Sequence, residues 1–259
     1  MIDLPDSATF AMVLSDRRLL AAAAVAGLAG LVRGFSGFGG AMVYMPLVST
    51  IYDPRIAAVT ILLVDLVSST PFAIPEFRRC NWREVVPLAI AMTIAVPFGT
   101  WALVMLDPVA LRWCVALLVL SLVPVLASGW RYHGNPTMRA TVAVGLFSGV
   151  SAGAVQIAGP PVILYWLGGG HSTAKVRANL MVFFLICGVV LVIAYAWQDL
   201  FTSQALALSL PLGLPYLLGV GMGSRFFHGA SDRLYRIIAY IIIALAAAVS
   251  LPILDPIVR

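Results

Sequence analysis

Two apolar runs of the chain are interrupted by glycine-rich breaks. The first is GLAGLVRGFSGFGGAMVYMPLV at residues 27–48, and the second is GLFSGVSAGAVQIAGPPVILYW at residues 145–166. The segments that contain them, residues 19–50 and 139–169, are longer than the roughly 20 residues that one spanning helix needs. Because each break lies near the centre of its segment, the sequence predicts two broken or re-entrant membrane helices.

The composition indicates a membrane protein. Of the 259 residues, 61% are hydrophobic and 10% are charged, and the mean hydropathy is +1.00, whereas about 25% of the residues of soluble proteins are charged. This excludes an ordinary cytosolic enzyme and makes the lipid bilayer a partner of most of the surface. The net charge of +5 comes from arginines that fall between apolar segments and form no basic patch with interleaved aromatic residues, so we expect no nucleic-acid partner.

We predict an all-α polytopic membrane protein with an internal repeat. The apolar segments are residues 19–50, 56–75, 85–106, 109–129, 139–169, 175–197, 204–224 and 234–252. An offset of 119 residues pairs Gly30 with Gly149, Gly34 with Gly153, Gly40 with Gly159, and Thr60 with Asn179. The constant offset predicts two related four-segment repeats, residues 1–132 and 133–259, in one integrated transport unit.

The basic residues indicate the orientation of these repeats. Without Arg33, which lies inside a broken segment, 15 of the 16 basic residues remain and are assigned to loops. If both broken segments return to their own side, the basic residues divide 10 to 5 between the two faces of the membrane. Eight full crossings divide them 8 to 7. Seven crossings, with only the second broken segment re-entrant, divide them 12 to 3 but break the symmetry of the repeat. The positive-inside rule and the repeat together favour six crossings, inverted halves and termini outside the cytoplasm.

The first break has the chemistry of an anion site. Small residues let a ligand approach the backbone N–H groups of GFSGFGG, and the half-helix after Gly40 presents the positive end of its dipole there. Arg33 adds a guanidinium whose planar fork matches oxyanions, although it can instead reach the interface or cap carbonyl groups at the break. The candidate substrate-binding residues here are Arg33, Gly34, Ser36, Gly37, Gly39 and Gly40.

The second break is predicted to bind more through a side chain and cavity shape than through amides. Pro160 and Pro161 fit the first turn of a half-helix, but each removes one N–H donor. Gln156 and Gly159 join them as candidate binding residues, and Thr60 and Asn179 complete the set with neutral hydrogen bonds. The alternative for the glycines is that they permit close helix crossing.

Asp65 is the only one of the 11 acidic residues inside a predicted spanning segment. Burial would raise the pKa of its carboxyl group and make it a candidate for proton coupling. A structural pairing with Arg33, or a place near the interface, explains it equally well.

Neither a metal nor a cofactor is expected. The cysteines, Cys80, Cys114 and Cys187, are far apart in the sequence, without a C-x-x-C motif. The histidines, His133, His171 and His228, fall in predicted loops. Because the polar residues at membrane depth lack a base or metal cluster, an intramembrane enzyme is the weaker hypothesis.

The chain resembles the TauE/SafE sulfite exporter family of bacterial membrane transporters. The resemblance rests on the two glycine-rich stretches, on CNWREVVPLAIAM at residues 80–92, on AGPPVILY at residues 158–165 and on LGVGMGSRFFHGASDRLYRI at residues 218–237. It implies a multi-pass inner-membrane carrier of sulfite or small organosulfonates, commonly exported. It also implies that Gly37, Gly39, Gly40, Gly159, Pro160 and Pro161 lie near the transport path. The first repeat departs from the pattern by lacking the double proline, with Pro46 further along.

We therefore predict a secondary transporter that exports sulfite or a small organosulfonate through a midplane site between two broken helices. An uptake carrier for another small anion is the alternative. The small size of the unit favours a homodimer, because little protein shields its cavity from lipid.

Overall fold

The computed structural model describes residues 4–129, 137–168, 173–226 and 232–254. Within these residues every regular element is helical, with eleven α-helices, two short 3-10 helices and no strand. The predicted all-α class is therefore confirmed. The predicted repeat boundary at 132/133 and the three histidines lie outside the described residues.

The helices follow the apolar segments closely. They are α1 (Ser7–Ser15), α2 (Arg18–Ser36), α3 (Gly40–Ile51), α4 (Pro54–Ala73), α5 (Trp82–Met105), α6 (Pro108–Ala127), α7 (Met138–Val155), α8 (Gly159–Gly168), α9 (Thr173–Trp197), α10 (Ser203–Phe226) and α11 (Asp232–Val249). The 3-10 helices are Ile74–Arg78 and Pro252–Leu254.

Six of the described helical stretches are long and apolar enough to cross a membrane. They are Pro54–Arg78, Trp82–Met105, Pro108–Ala127, Met138–Val155, Ala174–Trp197 and Ser203–Arg225. The six crossings predicted from the sequence differ from these six stretches in one segment. The prediction includes residues 234–252, whereas the structure instead has Met138–Val155, which covers the first part of the segment 139–169. In the described part of that last segment, Ile237–Val249 is a shorter apolar helix.

Glu84 and Arg112 lie in helices where the sequence predicts loops. Helix α5 begins at Trp82, so Glu84 stands in its first turn, and the expectation that Asp65 is the only acidic residue of a spanning segment is wrong. Arg112 was expected in a loop but lies in α6, where it is 5% exposed. Its Nη2 donates to the carbonyl oxygen of Ser250 at 3.0 Å. A cation suits that position, because α11 ends at Val249 and its last carbonyl groups carry partial negative charge.

The chain divides into two compact units. Unit 1 comprises Met1–Val64, Leu106–Ala127 and Asp199–Arg259, and unit 2 comprises Asp65–Met105 and Ser128–Gln198. Unit 1 therefore holds α1, α2, α3, the start of α4, α6, α10 and α11, while unit 2 holds the end of α4, α5, α7, α8 and α9. Each unit combines helices from both halves of the sequence.

In unit 1, α2 and α10 pack backbone to backbone. A methyl group added at Gly30 would lie 2.1 Å from the carbonyl oxygen of Tyr216, and one at Gly34 would lie 2.3 Å from that of Val220. The contact is reciprocal, since a methyl group at Gly219 would lie 2.2 Å from the carbonyl oxygen of Gly27. Small residues four apart allow this approach, as in many membrane helix pairs.

In unit 2, α5 and α7 pack in the same manner. A methyl group at Gly149 would lie 2.3 Å from the carbonyl oxygen of Met92, and one at Gly153 would lie 2.5 Å from that of Val96. A methyl group added at Gly99 of α5 would lie 2.1 Å from the carbonyl oxygen of Val150 in α7. Close helix crossing therefore explains these glycines. This is the alternative role that the sequence predicts for glycines of the breaks.

Candidate functional site

The first break is a short segment with left-handed backbone. Helix α2 ends at Ser36, Gly37 has φ +75° and Gly39 has φ +87°, and α3 begins at Gly40. Glycine adopts these angles without the steric cost that a side chain adds. The N–H of Gly37 donates to the carbonyl oxygen of Arg33 at 2.9 Å, which closes the end of α2. A methyl group at Gly37 would meet no atom within 4 Å, so this glycine is explained by its φ angle and not by packing.

Arg33 lies half-buried in the last turn of α2. Its guanidinium Nη1 donates to the carbonyl oxygen of Gly37, and this contact places a positive charge at the negative end of the α2 dipole. The structure therefore places Arg33 at the break, in the carbonyl-capping position that the sequence left open beside anion binding.

The remaining candidates of the first break are also engaged. The Ser36 hydroxyl donates to the carbonyl oxygen of Val32 at 2.6 Å and accepts from the N–H of Phe38 at 3.3 Å. Gly40 is buried, and a methyl group there would lie 2.8 Å from the Tyr216 hydroxyl oxygen. A methyl group at Gly39 would lie 3.3 Å from Cδ1 of Ile243. Gly34 belongs to the contact with α10 described above.

At the second break a non-glycine residue adopts the left-handed conformation. Helix α7 ends at Val155, Gln156 has φ +61°, and α8 begins at Gly159. Gln156 Nε2 donates to the Tyr195 hydroxyl at 2.9 Å, and that hydroxyl donates to the carbonyl oxygen of Gly153 at 3.0 Å. Because αL is unfavourable for residues other than Gly, Asn and Asp, these bonds hold Gln156 in an unusual conformation at the end of α7.

The first turn of α8 follows directly. Gly159 is buried, and a methyl group there would lie 3.1 Å from the ring of Phe184. Pro160 and Pro161 come next. Proline is tolerated there because the N–H groups of the first helical turn form no intrahelical hydrogen bond. Pro160 is buried and Pro161 is half-buried.

Both half-helices run back along the helices that precede them. The Tyr52 hydroxyl, just after α3, donates to Oδ2 of Asp16, just before α2, at 3.1 Å. In unit 2 the hydroxyl groups of Tyr165 in α8 and Thr141 near the start of α7 are 2.6 Å apart. Each helix, break and half-helix thus forms a hairpin with its ends held together by a tyrosine hydroxyl.

Thr60 forms a buried link within unit 1. Its hydroxyl donates to the carbonyl oxygen of Ile56 at 2.8 Å and accepts from the Tyr44 hydroxyl at 2.9 Å. Tyr44 and Thr60 are both fully buried. The pair joins α3, which follows the first break, to α4.

Asn179 has a similar position in unit 2 and is fully buried. Its Oδ1 accepts from the N–H of Asn81 at 2.7 Å, and its Nδ2 donates to Oε2 of Glu84 at 3.2 Å. Asn81 Nδ2 also donates to Oε1 of Glu84. This network caps the start of α5. The sequence contained its signal, since Asn81 and Glu84 have the N-cap and N3 spacing of a capping box.

Comparison with known proteins identifies the class of this membrane protein. The family model for the sulfite exporter TauE/SafE matches residues 22–250. The chain belongs to the TauE/SafE family. A protein of Cupriavidus necator described as a probable sulfite/organosulfonate exporter TauE is 24% identical over 249 residues, which cover 90% of this chain and 94% of that protein. No solved structure matches the chain.

Membership of the TauE/SafE family confirms three predictions from the sequence. The protein is a transporter and not an enzyme, it crosses the bacterial inner membrane several times, and its resemblance to this family is real. The matched region, residues 22–250, contains both breaks.

Asp65 lies half-buried in α4 and is the first residue of unit 2. Its backbone carbonyl oxygen accepts a hydrogen bond from the Ser68 hydroxyl at 2.9 Å. Asp65 belongs to the helical stretch Pro54–Arg78, which is long and apolar enough to span the membrane.

Proposed function

We propose that this protein exports sulfite or a small organosulfonate, and that the substrate binds near the middle of the membrane at the two helix breaks. The family description and the name of the C. necator relative support the substrate class. The observation that carries the location is the first break, where two glycines with positive φ adjoin a half-helix N-terminus and an arginine.

The first break supplies attraction for an oxyanion. At the N-terminus of α3 the N–H of Met42 donates to the carbonyl oxygen of Gly39 at 3.0 Å, so the N–H groups of Gly40 and Ala41 come before the first hydrogen bond of the helix. These groups and the helix dipole favour negative charge. The guanidinium of Arg33 can exchange its bond to the Gly37 carbonyl oxygen for a sulfite or sulfonate oxygen, because Arg binds both kinds of acceptor.

The second break contributes fewer backbone donors. Pro160 and Pro161 remove two N–H groups from the first turn of α8, so Gln156 is the donor that remains by type. We propose that Gln156 contacts the substrate while the Tyr195 hydroxyl holds the Gln156 side chain in place. Thr60 and Asn179 position the helices next to the breaks through their buried hydrogen bonds.

The repeat supports a pair of re-entrant hairpins with inverted orientation. Gly37 and Gln156, the two left-handed helix caps, are 119 residues apart (156 − 37), and so are Gly40 and Gly159, where α3 and α8 begin (159 − 40). Two related hairpins that enter from opposite sides are a common plan of secondary transporters. Export of an anion in this way gains about 2.3 kcal/mol per charge for each 100 mV of inside-negative potential.

Counterflow in liposomes tests the proposed substrate and Arg33 together. Purified protein should exchange labelled sulfite, sulfoacetate or taurine, and Arg33→Ala should lower exchange at limiting substrate by about tenfold, because a charged hydrogen bond is lost. Arg17→Ala is the control, since Arg17 is an exposed arginine at the other end of α2. If no small anion exchanges, the transport proposal fails. Faster transport under an outward than under an inward substrate gradient indicates export, and the reverse indicates uptake.

A double substitution tests whether both breaks serve one substrate. Arg33→Ala and Gln156→Ala should each weaken exchange, and the double variant should lose less than the product of the single losses, because residues that contact one ligand are energetically coupled. Independent effects would contradict a shared site. Each variant is first checked for an unchanged melting temperature.

The proton-coupling role of Asp65 has its own test. We propose that its carboxyl group carries a proton opposite to the anion, so Asp65→Asn should abolish stimulation by a pH gradient and leave counterflow intact. Asp199→Asn is the matched control, because Asp199 has φ +51° and asparagine tolerates that conformation. A pH-gradient effect that survives Asp65→Asn excludes this role.

A further inference from the structure

Unit 1 contains a cavity of about 300 Å³ at the end of α2 that is remote from the break. It lies among α1, the start of α2, the end of α3 and the start of α10. Its polar lining includes Asp16, Arg18, Tyr52 and Gln204, and its apolar lining includes Met12 and Leu208. The volume suits a small ligand or the head of a larger one.

The polar wall is a preformed pair of opposite charges. Arg18 donates from its backbone N–H at 2.9 Å and from Nε at 3.3 Å to Oδ1 of Asp16. The Tyr52 hydroxyl donates to Oδ2 of the same carboxylate, and the Arg18 guanidinium carbon lies 5.5 Å from the centroid of the Tyr52 ring. The side chains of Arg18 and Asp16 remain 66% and 23% exposed, so both charges are accessible to a ligand.

A zwitterion complements this wall better than an anion does. The cavity carries one carboxylate and one guanidinium, so an anion alone would gain from Arg18 and lose against Asp16. A ligand with an ammonium group and an oxyanion two carbons apart satisfies both charges. A primary ammonium also donates hydrogen bonds to Asp16, which a quaternary ammonium cannot do.

The apolar wall extends into a surface that suits lipid. Helix α1 has nine residues and is about 14 Å long, too short to span a membrane. It nevertheless exposes Met12 at 68% and Leu14 at 66%. Exposed apolar side chains of α1 therefore lie next to the positive charges of Arg17 and Arg18, so this corner offers both apolar contact and attraction for a phosphate.

We propose that this cavity binds a phosphatidylethanolamine molecule. Its ammonium group contacts Asp16, its phosphate contacts Arg18 and Gln204, and the start of an acyl chain lies against the exposed side chain of Met12. A free aminoethanesulfonate such as taurine shares the headgroup chemistry, but it leaves the apolar wall uncovered.

Native mass spectrometry of the full-length protein tests the proposal. The detergent-purified protein is mixed with equal amounts of phosphatidylethanolamine, phosphatidylglycerol and phosphatidylcholine with identical acyl chains. The wild type should retain phosphatidylethanolamine about fivefold more than either other lipid, and Arg18→Gln should remove most of this retention. Asp16→Asn should equalise phosphatidylethanolamine and phosphatidylglycerol.

Two further variants keep the result interpretable. Arg17→Gln changes the same charge next to the cavity but outside its lining, so it should retain lipid like the wild type. Gln204→Leu removes an amide without disturbing the Asp16–Arg18 pair and should also lower retention. Equal retention of the three lipids by the wild type, equal losses in Arg17→Gln and Arg18→Gln, or displacement of the lipid by millimolar taurine would each overturn the proposal.

Discussion

Glycines in this chain have two separate structural roles at the residue scale. Gly30, Gly34, Gly149 and Gly153 let helices approach until a methyl group would overlap a carbonyl oxygen, whereas Gly37 provides a left-handed φ angle in open space. The sequence predicted both roles for glycine-rich runs but did not assign them to individual residues. Such an assignment depends on which helix lies opposite, and that is a property of the tertiary structure.

Substitution of Gly30 tests the packing role. Gly30→Ala should lower the free energy of unfolding by about 1 to 3 kcal/mol or more, because the methyl group meets a backbone carbonyl group that cannot move away easily. Gly221→Ala in α10 is the control, since a methyl group there meets no atom within 4 Å. Melting temperatures of the two variants in detergent give the comparison, and an equal effect of both would contradict the packing role.

Asp16 predicts a response of the α1–α2 corner to acid. The hydrogen bond from the backbone N–H of Arg18, followed by those from Tyr52 and the Arg18 side chain, lowers the pKa of this carboxyl group below 3.8. The stabilisation is therefore fully present above about pH 4 and is lost as the pH falls through the lower folded-state pKa. Asp16→Asn should be less stable than the wild type near neutral pH, and the difference in melting temperature should shrink below about pH 4. A difference that stays constant with pH would contradict the assignment.

At the scale of single elements, the helices were largely predictable and their partners were not. Runs of apolar residues mark spanning helices, and the glycines and prolines mark where α2 and α7 end. Thr60 and Asn179 were expected to complete the substrate site, but their hydrogen bonds go to Tyr44 and to the start of α5. Nothing in the local sequence of α4 or α9 specifies those partners, because they are distant along the chain.

The link between α9 and α5 yields a prediction for Asn179. Asn179→Ala leaves the N–H of Asn81 and the Glu84 carboxylate with one partner fewer, so the free energy of unfolding should fall by about 1 to 3 kcal/mol. Thr93→Ala is the control within α5, because the Thr93 hydroxyl bonds to the carbonyl oxygen of Ala89 in its own helix. Urea unfolding in detergent measures both variants, and an unchanged stability of Asn179→Ala would exclude the capping role.

At the scale of the whole molecule, the compact units do not coincide with the two halves of the sequence. The repeat predicted from the sequence divides the chain at residue 132, whereas α2 pairs with α10 in unit 1 and α5 pairs with α7 in unit 2. Each close helix pair thus takes one helix from each half. The spacing predicts a repeat but does not predict this exchange of helices, because hydropathy does not specify which helices pair.

The exchange predicts how separated halves behave. Residues 1–132 and 133–259, expressed together from two genes, should purify as a complex, because both glycine-mediated pairs must form between them. Either half alone should be degraded or aggregate. Gly30→Leu combined with Gly149→Leu should abolish co-purification by blocking both contacts. Recovery of a folded, monomeric single half would contradict the prediction.

The pairing of α2 with α10 also determines the order of events during biosynthesis. Residue 203, the first of α10, follows the end of α2 by 167 positions (203 − 36). At roughly 5 to 20 residues per second, the ribosome needs on the order of ten seconds or more to deliver it. Throughout that interval the nascent first half has its glycine face and its polar break without their final neighbour. Insertion factors and membrane proteases therefore encounter an incomplete chain whose survival depends on how quickly translation proceeds.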